Sequence, residues 1–452
     1  MTTVAIVLIV SVFAFAVLGV PLAWSLGLSS LCAILTTGTI SLGMLAQRMY
    51  TGGAVYAFLA IFFFIFAGNI MTYGGLSKRL IRFANGLVGH HTGGTSIVCT
   101  LACTFFAAIS GSSIATTAAI GGMLYPELKD YGYPDDYAAT LPAVGGMLYP
   151  ELKDYGYPDD YAATLPAVGG VLGIVIPPSV TFIVYGTTLN ISVGKLLFSG
   201  VVPGILGSIA LSVMCYIFAK KRNYPKGEKM NRKEFWKVAW EAGPALLTPL
   251  IILGGIYSGL FTPTESAAVA TLYSIIATKF FYKELDWSIY KQAMRDTTQT
   301  TANIMILVMS ATCFSWLLTV NNIPTMLSTF LLSIVHTKFA FWVGVLVLLV
   351  FLGMFMDVST IILIIAPLLA PVADSFGIDP IQFGCIFVFT LAIGQATPPF
   401  GACLFVSSSI SGHGIMRLGL LSIPFVLVLL LVVILTCIFP DLATLLPSLM
   451  AA

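Results

Sequence analysis

Charge is what this chain has least of. Only 9% of its 452 residues are charged, against 58% hydrophobic. Ordinary soluble domains carry about a quarter charged residues. That shortage excludes a soluble chain of this size, which would lack the polar surface to cover its core. Basic and acidic residues nearly balance, 21 against 19, and no basic patch interleaves with aromatics, so no nucleic-acid partner is expected. A phosphate-binding Gly-x-x-x-x-Gly-Lys-Ser/Thr loop is missing, which excludes ATP hydrolysis by this chain. No hydrolase or kinase constellation is visible either, and the chain is not read as an enzyme. The eight cysteines are scattered singly through apolar runs. Cys99 and Cys103 form the one close pair, and their spacing is not that of a zinc or redox site. His90, His91, His336 and His413 sit near the ends of apolar runs, where an imidazole ring suits an interface. The start, Met1-Thr2-Thr3-Val4, lacks the basic residues of a signal peptide and is read as the beginning of a first membrane helix.

What the chain has in abundance is long apolar runs. Val4–Ser25, Ala54–Met71, Leu197–Phe218, Phe339–Phe355 and Leu418–Phe439 each approach the roughly 20 residues needed to cross a bilayer. The runs are continuous instead of alternating, which predicts an all-α polytopic membrane protein and not a barrel. Eight of the 21 Lys and Arg residues fall between Lys220 and Lys237. The excess of positive charge in cytoplasmic loops places this stretch in the cytoplasm. It divides the chain into a first half, residues 1–219, a basic connector, 220–240, and a second half, 241–452. Neither terminus carries a basic cluster, so both are expected outside. Each half then crosses an odd number of times, and the halves are inverted with respect to each other.

Internal matches support that inversion. Gly173-Ile-Val-Ile-Pro177-Pro178 in the first half parallels Gly394-Gln-Ala-Thr-Pro398-Pro399 in the second, at an offset of 221 residues. The same offset carries Thr187-Thr188 onto Ser408-Ser409, Asn190 onto Ser411 and Pro203 onto Pro424. Inverted repeats of this kind are a signature of secondary transporters. A second repeat differs in kind: Gly121–Gly146 is identical to Gly145–Gly170, at a period of 24. Ser112 to Pro177 spans 65 positions and the matching Asp357 to Pro398 spans 41, so the difference is one period. One copy within 121–168 is surplus to the fold.

The chemistry-bearing residues cluster at the interruptions. Each Pro-Pro pair removes two helical donors and frees carbonyls four residues back: those of Gly173 and Ile174, and those of Gly394 and Gln395. A free carbonyl in lipid costs several kcal/mol unless satisfied. A bound hard cation, which prefers oxygen ligands, does so, with Ser179 and Thr397 adding hydroxyl oxygens. Two plainly kinked helices are the alternative. Ser110-Gly-Ser-Ser113 and Asp357-Val-Ser-Thr360 each lie between two apolar runs and read as tips of re-entrant hairpins or broken helices. Such tips present helix N-termini, whose backbone N–H groups attract anions. Ser112, Ser113, Ser359 and Thr360 are positioned to cap those ends. An acidic residue at membrane depth is costly and functional by default, so Asp357 is a candidate for holding sodium or a substrate group, with helix capping as the alternative. Glu265, in Thr262-Pro-Thr-Glu265, fits a capping box and is read as architectural. No lysine or arginine lies inside a central apolar run. An anionic substrate would rest on helix N-termini, hydroxyls and co-bound cations, so cation and anion would bind together.

At these residues the chain resembles the large membrane subunit of the TRAP (tripartite ATP-independent periplasmic) transporters. The resemblance rests on Gly19-Val-Pro-Leu-Ala, Gly111-Ser-Ser-Ile-Ala-Thr, Gly169-Gly-Val-Leu-Gly-Ile-Val-Ile-Pro-Pro, Thr262-Pro-Thr-Glu, Gly353-Met-Phe-Met-Asp and Gly394-Gln-Ala-Thr-Pro-Pro-Phe-Gly. The family pattern has one Pro-Glu-Leu-Lys segment between the Gly-Ser-Ser and Pro-Pro motifs, where this chain has two. The resemblance implies an elevator: a scaffold and a moving transport domain with two hairpins, in a bacterial inner membrane. It implies a small four-helix membrane subunit and a periplasmic substrate-binding protein as partners. It also implies sodium-coupled symport of a small organic anion such as a C4-dicarboxylate or sialic acid. By motif match, sodium ions would sit near Ser110, Gly111 and Ser113 with Gly173 and Pro177, and near Gly394, Thr397 and Pro399. Substrate would lie between Ser112, Ser179 and Asp357, with Ser359 beside them. A stand-alone sodium–anion symporter, without a binding protein, and a channel are the rival readings.

Overall fold

The apolar runs become helices, and the glycine and proline motifs mark where those helices stop. The computed structural model describes residues 3–38, 40–122, 159–222, 229–411 and 413–450. The regular elements run α1 (Thr3–Val17), α2 (Leu22–Thr37), α3 (Leu42–Gly53), α4 (Leu59–Tyr73), α5 (Leu76–Val88), α6 (Gly94–Ser110) and α7 (Ser113–Gly122). They continue with α8 (Asp159–Gly170), α9 (Val180–Leu189), α10 (Val193–Ser199), α11 (Val201–Arg222), α12 (Arg232–Tyr257), α13 (Pro263–Ile276) and α14 (Trp287–Val320). The last are α15 (Ile323–Ile334), α16 (Lys338–Gly353), α17 (Val358–Ser375), α18 (Pro380–Gly394), α19 (Ala402–Ser411), α20 (Ile415–Ile438) and α21 (Asp441–Ser448). Of the duplicated segment, 123–158 lies outside the described residues, and with it the question of how the surplus copy is placed.

Among the described residues, six helical stretches are long and apolar enough to cross a membrane. They include Tyr56–Tyr73, Arg232–Tyr257, Trp287–Val320 and Ile415–Ile438. The pair α15 and α16 passes the same test together but is bent by 119°. The chain is an all-α, multi-pass membrane protein. One apolar run differs from its expectation. Val4–Ser25 is not a single crossing: the chain turns at Gly19, whose φ of 82° is in the left-handed region, and Pro21 precedes α2. Glycine adopts that φ without a Cβ penalty and proline starts helices readily, so Gly19-Val-Pro makes a helical hairpin of α1 and α2.

Two sets of polar side-chain contacts, which define two packing groups, tie neighbouring helices within one continuous hydrophobic core. In the first, Thr271 of α13 donates to the Phe63 carbonyl of α4 at 2.8 Å. The Tyr73 hydroxyl of α4 donates to Asp296 of α14 at 2.7 Å, and Ser266 of α13 reaches the Ile252 carbonyl of α12 at 2.9 Å. In the second, Thr104 of α6 meets Ser208 of α11 at 2.6 Å. Gln382 of α18 donates to the Thr436 carbonyl of α20 at 2.9 Å, and Ser422 of α20 to the Ala396 carbonyl at 2.8 Å. Side-chain hydrogen bonds between membrane helices contribute about 0.6 kcal/mol each, so close packing of buried residues such as Phe106, Phe182, Phe387 and Phe425 carries most of the stability.

Helix starts are capped as their sequences require. Asp286 accepts from Ile289 N–H at 2.7 Å, and Asp379 accepts from Ile381 and Gln382 N–H at 2.8 and 3.0 Å. Each such cap is worth about 1 kcal/mol. At α13 the capping box is complete: Thr262 N–H donates to Glu265 at 2.8 Å and Glu265 N–H donates to the Thr262 hydroxyl at 3.3 Å. Glu265 is architectural.

Candidate functional site

Four interrupted helices meet in the interior of the second packing group. The first hairpin tip separates α6 from α7 at Gly111 and Ser112. Gly111 has φ of 64°, and a Cβ there would lie 2.6 Å from the Pro178 carbonyl oxygen. Only glycine lets the tip sit so close to the first Pro-Pro break. Val180 N–H donates back to the Gly111 carbonyl at 3.4 Å. Within the tip, the Ser110 and Thr116 hydroxyls are 2.9 Å apart, and Ser112 caps Ala115 N–H at 3.3 Å.

The second hairpin repeats the scheme. Its tip lies between Gly353, the last residue of α16, and Val358, the first of α17. A Cβ on Gly394 would lie 2.7 Å from the Gly353 Cα. Two glycines thus allow the ends of α16 and α18 to touch backbone to backbone. Asp357 caps α17, accepting from Ser359 N–H at 2.8 Å. The two halves are joined at the site itself, because the Ser113 hydroxyl donates to the Gln395 side-chain carbonyl.

Three of the four carbonyls freed by the Pro-Pro pairs have protein donors. Ile174 accepts from the Ser179 hydroxyl at 2.7 Å, Gly394 from Thr397 N–H at 3.0 Å, and Gln395 from Cys403 N–H at 2.9 Å. The helical donor position for Gly173 is Pro177, which has no N–H. Each carbonyl oxygen keeps a second lone pair. Among the described residues no group of three or more His, Cys, Asp or Glu side chains could hold a metal. The donors at the breaks are carbonyl and hydroxyl oxygens, a set that fits a hard cation and not a transition metal.

Between the two tips lies a cavity of about 530 Å³. The hairpin side presents Ser110, Gly111, Ser112 and Ser113 from the first tip, and Asp357, Ser359 and Thr360 from the second. First-turn residues of three helices line it: Ser113, Ile114 and Ala115 of α7, Val180 and Thr181 of α9, and Val358, Ser359 and Thr360 of α17. The positive ends of three helix dipoles therefore open on one space. Asp357 is the sole charged residue in the described lining.

The structure brings Ser112, Asp357 and Ser359 together on this cavity and keeps Ser179 out of it. Ser179 is fully buried, and its hydroxyl serves the Ile174 carbonyl and Thr181; its neighbours Val180 and Thr181 reach the cavity instead. Ser110, Gly111 and Ser113 line the wall, and Gly173 packs behind them, where a Cβ would meet the Ser112 carbonyl oxygen at 2.6 Å. Pro177, Gly394, Thr397 and Pro399 do not line it, although Gln395, next to Gly394, does. The Thr397 hydroxyl donates to the Ile393 carbonyl at 2.7 Å.

The opposite wall was missed from sequence. It carries Asn69 and Thr72 of α4 and Thr300 and Asn303 of α14, both in the first packing group. Asn69 donates to Thr297 at 2.9 Å, which fixes α4 against α14. A carboxamide inside the run Phe62–Met71 was the available signal, since polar residues within spans mark pathways.

The pattern of the family described as "Tripartite ATP-independent periplasmic transporter, DctM component" matches residues 9–143 and 137–442. The overlap of the two stretches falls inside the duplicated segment. The sialic acid TRAP transporter large permease protein SiaM of Vibrio cholerae is 34% identical, over 95% of each chain. The C4-dicarboxylate TRAP transporter large permease protein DctM of the same organism is 36% identical, over 98% of this chain and 97% of that one. The isethionate TRAP transporter permease protein DctMQ of Oleidesulfovibrio alaskensis is 37% identical over 94% of this chain, which spans only 64% of that longer relative. Among solved structures, the YdaH transporter of Alcanivorax borkumensis matches with a TM-score of 0.60, at 15% identity, over 90% of this chain and 89% of that one. That likeness is one of fold.

Proposed function

The chain belongs to the DctM-component family of tripartite ATP-independent periplasmic transporters, and we propose that it carries a small organic anion across a bacterial inner membrane together with sodium. It is a transporter permease and not an enzyme. The observation that supports this reading best is the convergence of the α7, α9 and α17 N-termini on one cavity with no described lysine or arginine in its wall. Backbone N–H groups and hydroxyls hold an anion there without a fixed positive side chain. Cations bound at the two breaks supply the missing positive charge, so each ligand favours the other. A C4-dicarboxylate or a sialic acid, the substrates named for two of its relatives, is the class of anion this reading assigns to the cavity.

In this reading the second packing group is the moving transport domain, and the first is the scaffold, which contributes Asn69 and Asn303 to the site. A small membrane subunit and a periplasmic binding protein complete the system, as its family implies. The test is uptake into proteoliposomes holding this chain and its small subunit. Saturable uptake should require the loaded binding protein and sodium, and no ATP. Equal uptake with sodium replaced by potassium refutes the coupling, and full uptake without the binding protein makes the chain a stand-alone symporter.

A further inference from the structure

A second cavity, of about 530 Å³, shares no lining residue with the first and lies at the end of α12 that follows the basic stretch. Its walls come from three elements: Arg79 and Arg82 of α5, Trp240 and Glu241 of α12, and Tyr282 with Glu284 after α13. Arg79 is fully engaged. It pairs with Glu284 at 2.6 Å, donates to the Gly75 carbonyl at 3.0 Å and lies 4.1 Å over the Tyr282 ring. The Tyr282 hydroxyl donates to the Glu241 backbone carbonyl at 2.9 Å, which holds the α12 wall in place. Arg82 and the Glu241 carboxylate have no ion-pair or hydrogen-bond partner among the described residues. One free cation and one free anion thus face the same space.

The depth of this cavity is set by aromatic residues. Trp236 and Trp240 are 63% and 85% exposed, and Phe281 is 67% exposed. Exposed Trp at the charged end of a spanning helix marks the headgroup level of a bilayer. Leu247, two turns deeper than Trp240 on the same face of α12, is also exposed and continues an apolar track toward the membrane interior.

We propose that this cavity binds the headgroup of a zwitterionic aminophospholipid, with its phosphate on Arg82, its primary ammonium on Glu241 and an acyl chain along Trp240 and Leu247. Charge complementarity selects among headgroups. A glycerol headgroup carries the phosphate but leaves Glu241 unpaired beside a negative charge. A choline headgroup carries the positive charge but has no N–H to donate to the carboxylate. Only a primary ammonium donates charge-assisted hydrogen bonds to Glu241 while the phosphate meets the Arg82 fork.

The test is native mass spectrometry of the purified full-length protein after exchange into mixed micelles with equal phosphatidylethanolamine, phosphatidylcholine and phosphatidylglycerol. The wild type should retain phosphatidylethanolamine about tenfold over each of the others. Glu241→Gln, nearly isosteric, should erase the preference over phosphatidylcholine. Arg82→Gln should lower retention of all three lipids, and Arg82→Lys should restore part of it. Melting temperature and monodispersity of each variant check folding. Equal retention of the three lipids by the wild type, a preference for phosphatidylglycerol, exclusion of lipid by a tightly bound small membrane subunit, or a preference unchanged in Glu241→Gln would each overturn the proposal.

Discussion

The Ser113 hydroxyl donates to the Gln395 side chain across 282 positions of sequence, joining the first hairpin tip to the second Pro-Pro break. Both residues are buried and both line the cavity between the tips, so neither half of the chain builds its wall alone. Ser113→Ala should leave the Gln395 amide without its donor. Removing one partner of a buried hydrogen bond costs about 1–3 kcal/mol. Uptake should fall by tenfold or more while the protein still inserts, and Gln395→Ala should do the same. Wild-type rates in both variants would show that the bond is incidental.

Asp357 both caps α17 and faces the cavity, and one substitution separates these roles. Asparagine caps about as well as aspartate but carries no charge. Asp357→Asn should therefore fold normally and lose transport, while Asp357→Ala loses transport and about 1 kcal/mol of stability. Full uptake by Asp357→Asn would reduce Asp357 to a helix cap.

The Gly353–Gly394 contact leaves no room for a Cβ, which on Gly394 would lie 2.8 Å from the Val350 carbonyl oxygen. Gly394→Ala must push α16 away from α18 and distort the second break. Overpacking of this kind costs about 1–3 kcal/mol. A lower melting temperature and loss of uptake are expected. Gly414→Ala, where nothing lies within 4 Å, is the control and should be close to neutral.

Much of this site was legible in the sequence, because backbone chemistry defines it. Gly-Ser-Ser and Met-Asp-Val-Ser break helices and cap the next ones, and Pro-Pro forbids a continuous ladder, whatever packs around them. The capping box at Glu265 was readable for the same reason. Legibility ended where tertiary packing decides. Ser179 looked like a ligand, yet the carbonyl its own Pro-Pro pair frees claims its hydroxyl. Asn69 and Asn303 are single carboxamides in otherwise apolar stretches, and only the packing of α4 and α14 opposite the tips places them on the cavity. The run Val4–Ser25 passed a length test that ignores the turn at Gly19.

The duplicated segment gives a prediction independent of which copy is surplus. Because the two copies are identical, deleting Gly121–Val144 or Gly145–Val168 gives the same chain. The described helices α7 and α8 already use the beginning of the first copy and the end of the second, so the deletion keeps both. It restores the 41-residue spacing of the other half. The shortened protein should express stably, melt at or above the parent temperature and transport at least as well. Failure to fold would mean that both copies are packed.

Among the described residues the cavity wall holds no lysine or arginine, and the proposed anion and sodium should therefore bind together. Thermodynamic linkage makes this directly measurable, since coupling between two ligands must be reciprocal. The measurement is calorimetric titration of the purified protein with its organic anion at a series of sodium concentrations, at constant ionic strength set by potassium. The account predicts that anion affinity rises with sodium, and that saturating anion tightens sodium binding by the same factor. An anion affinity that stays constant as sodium replaces potassium would contradict it.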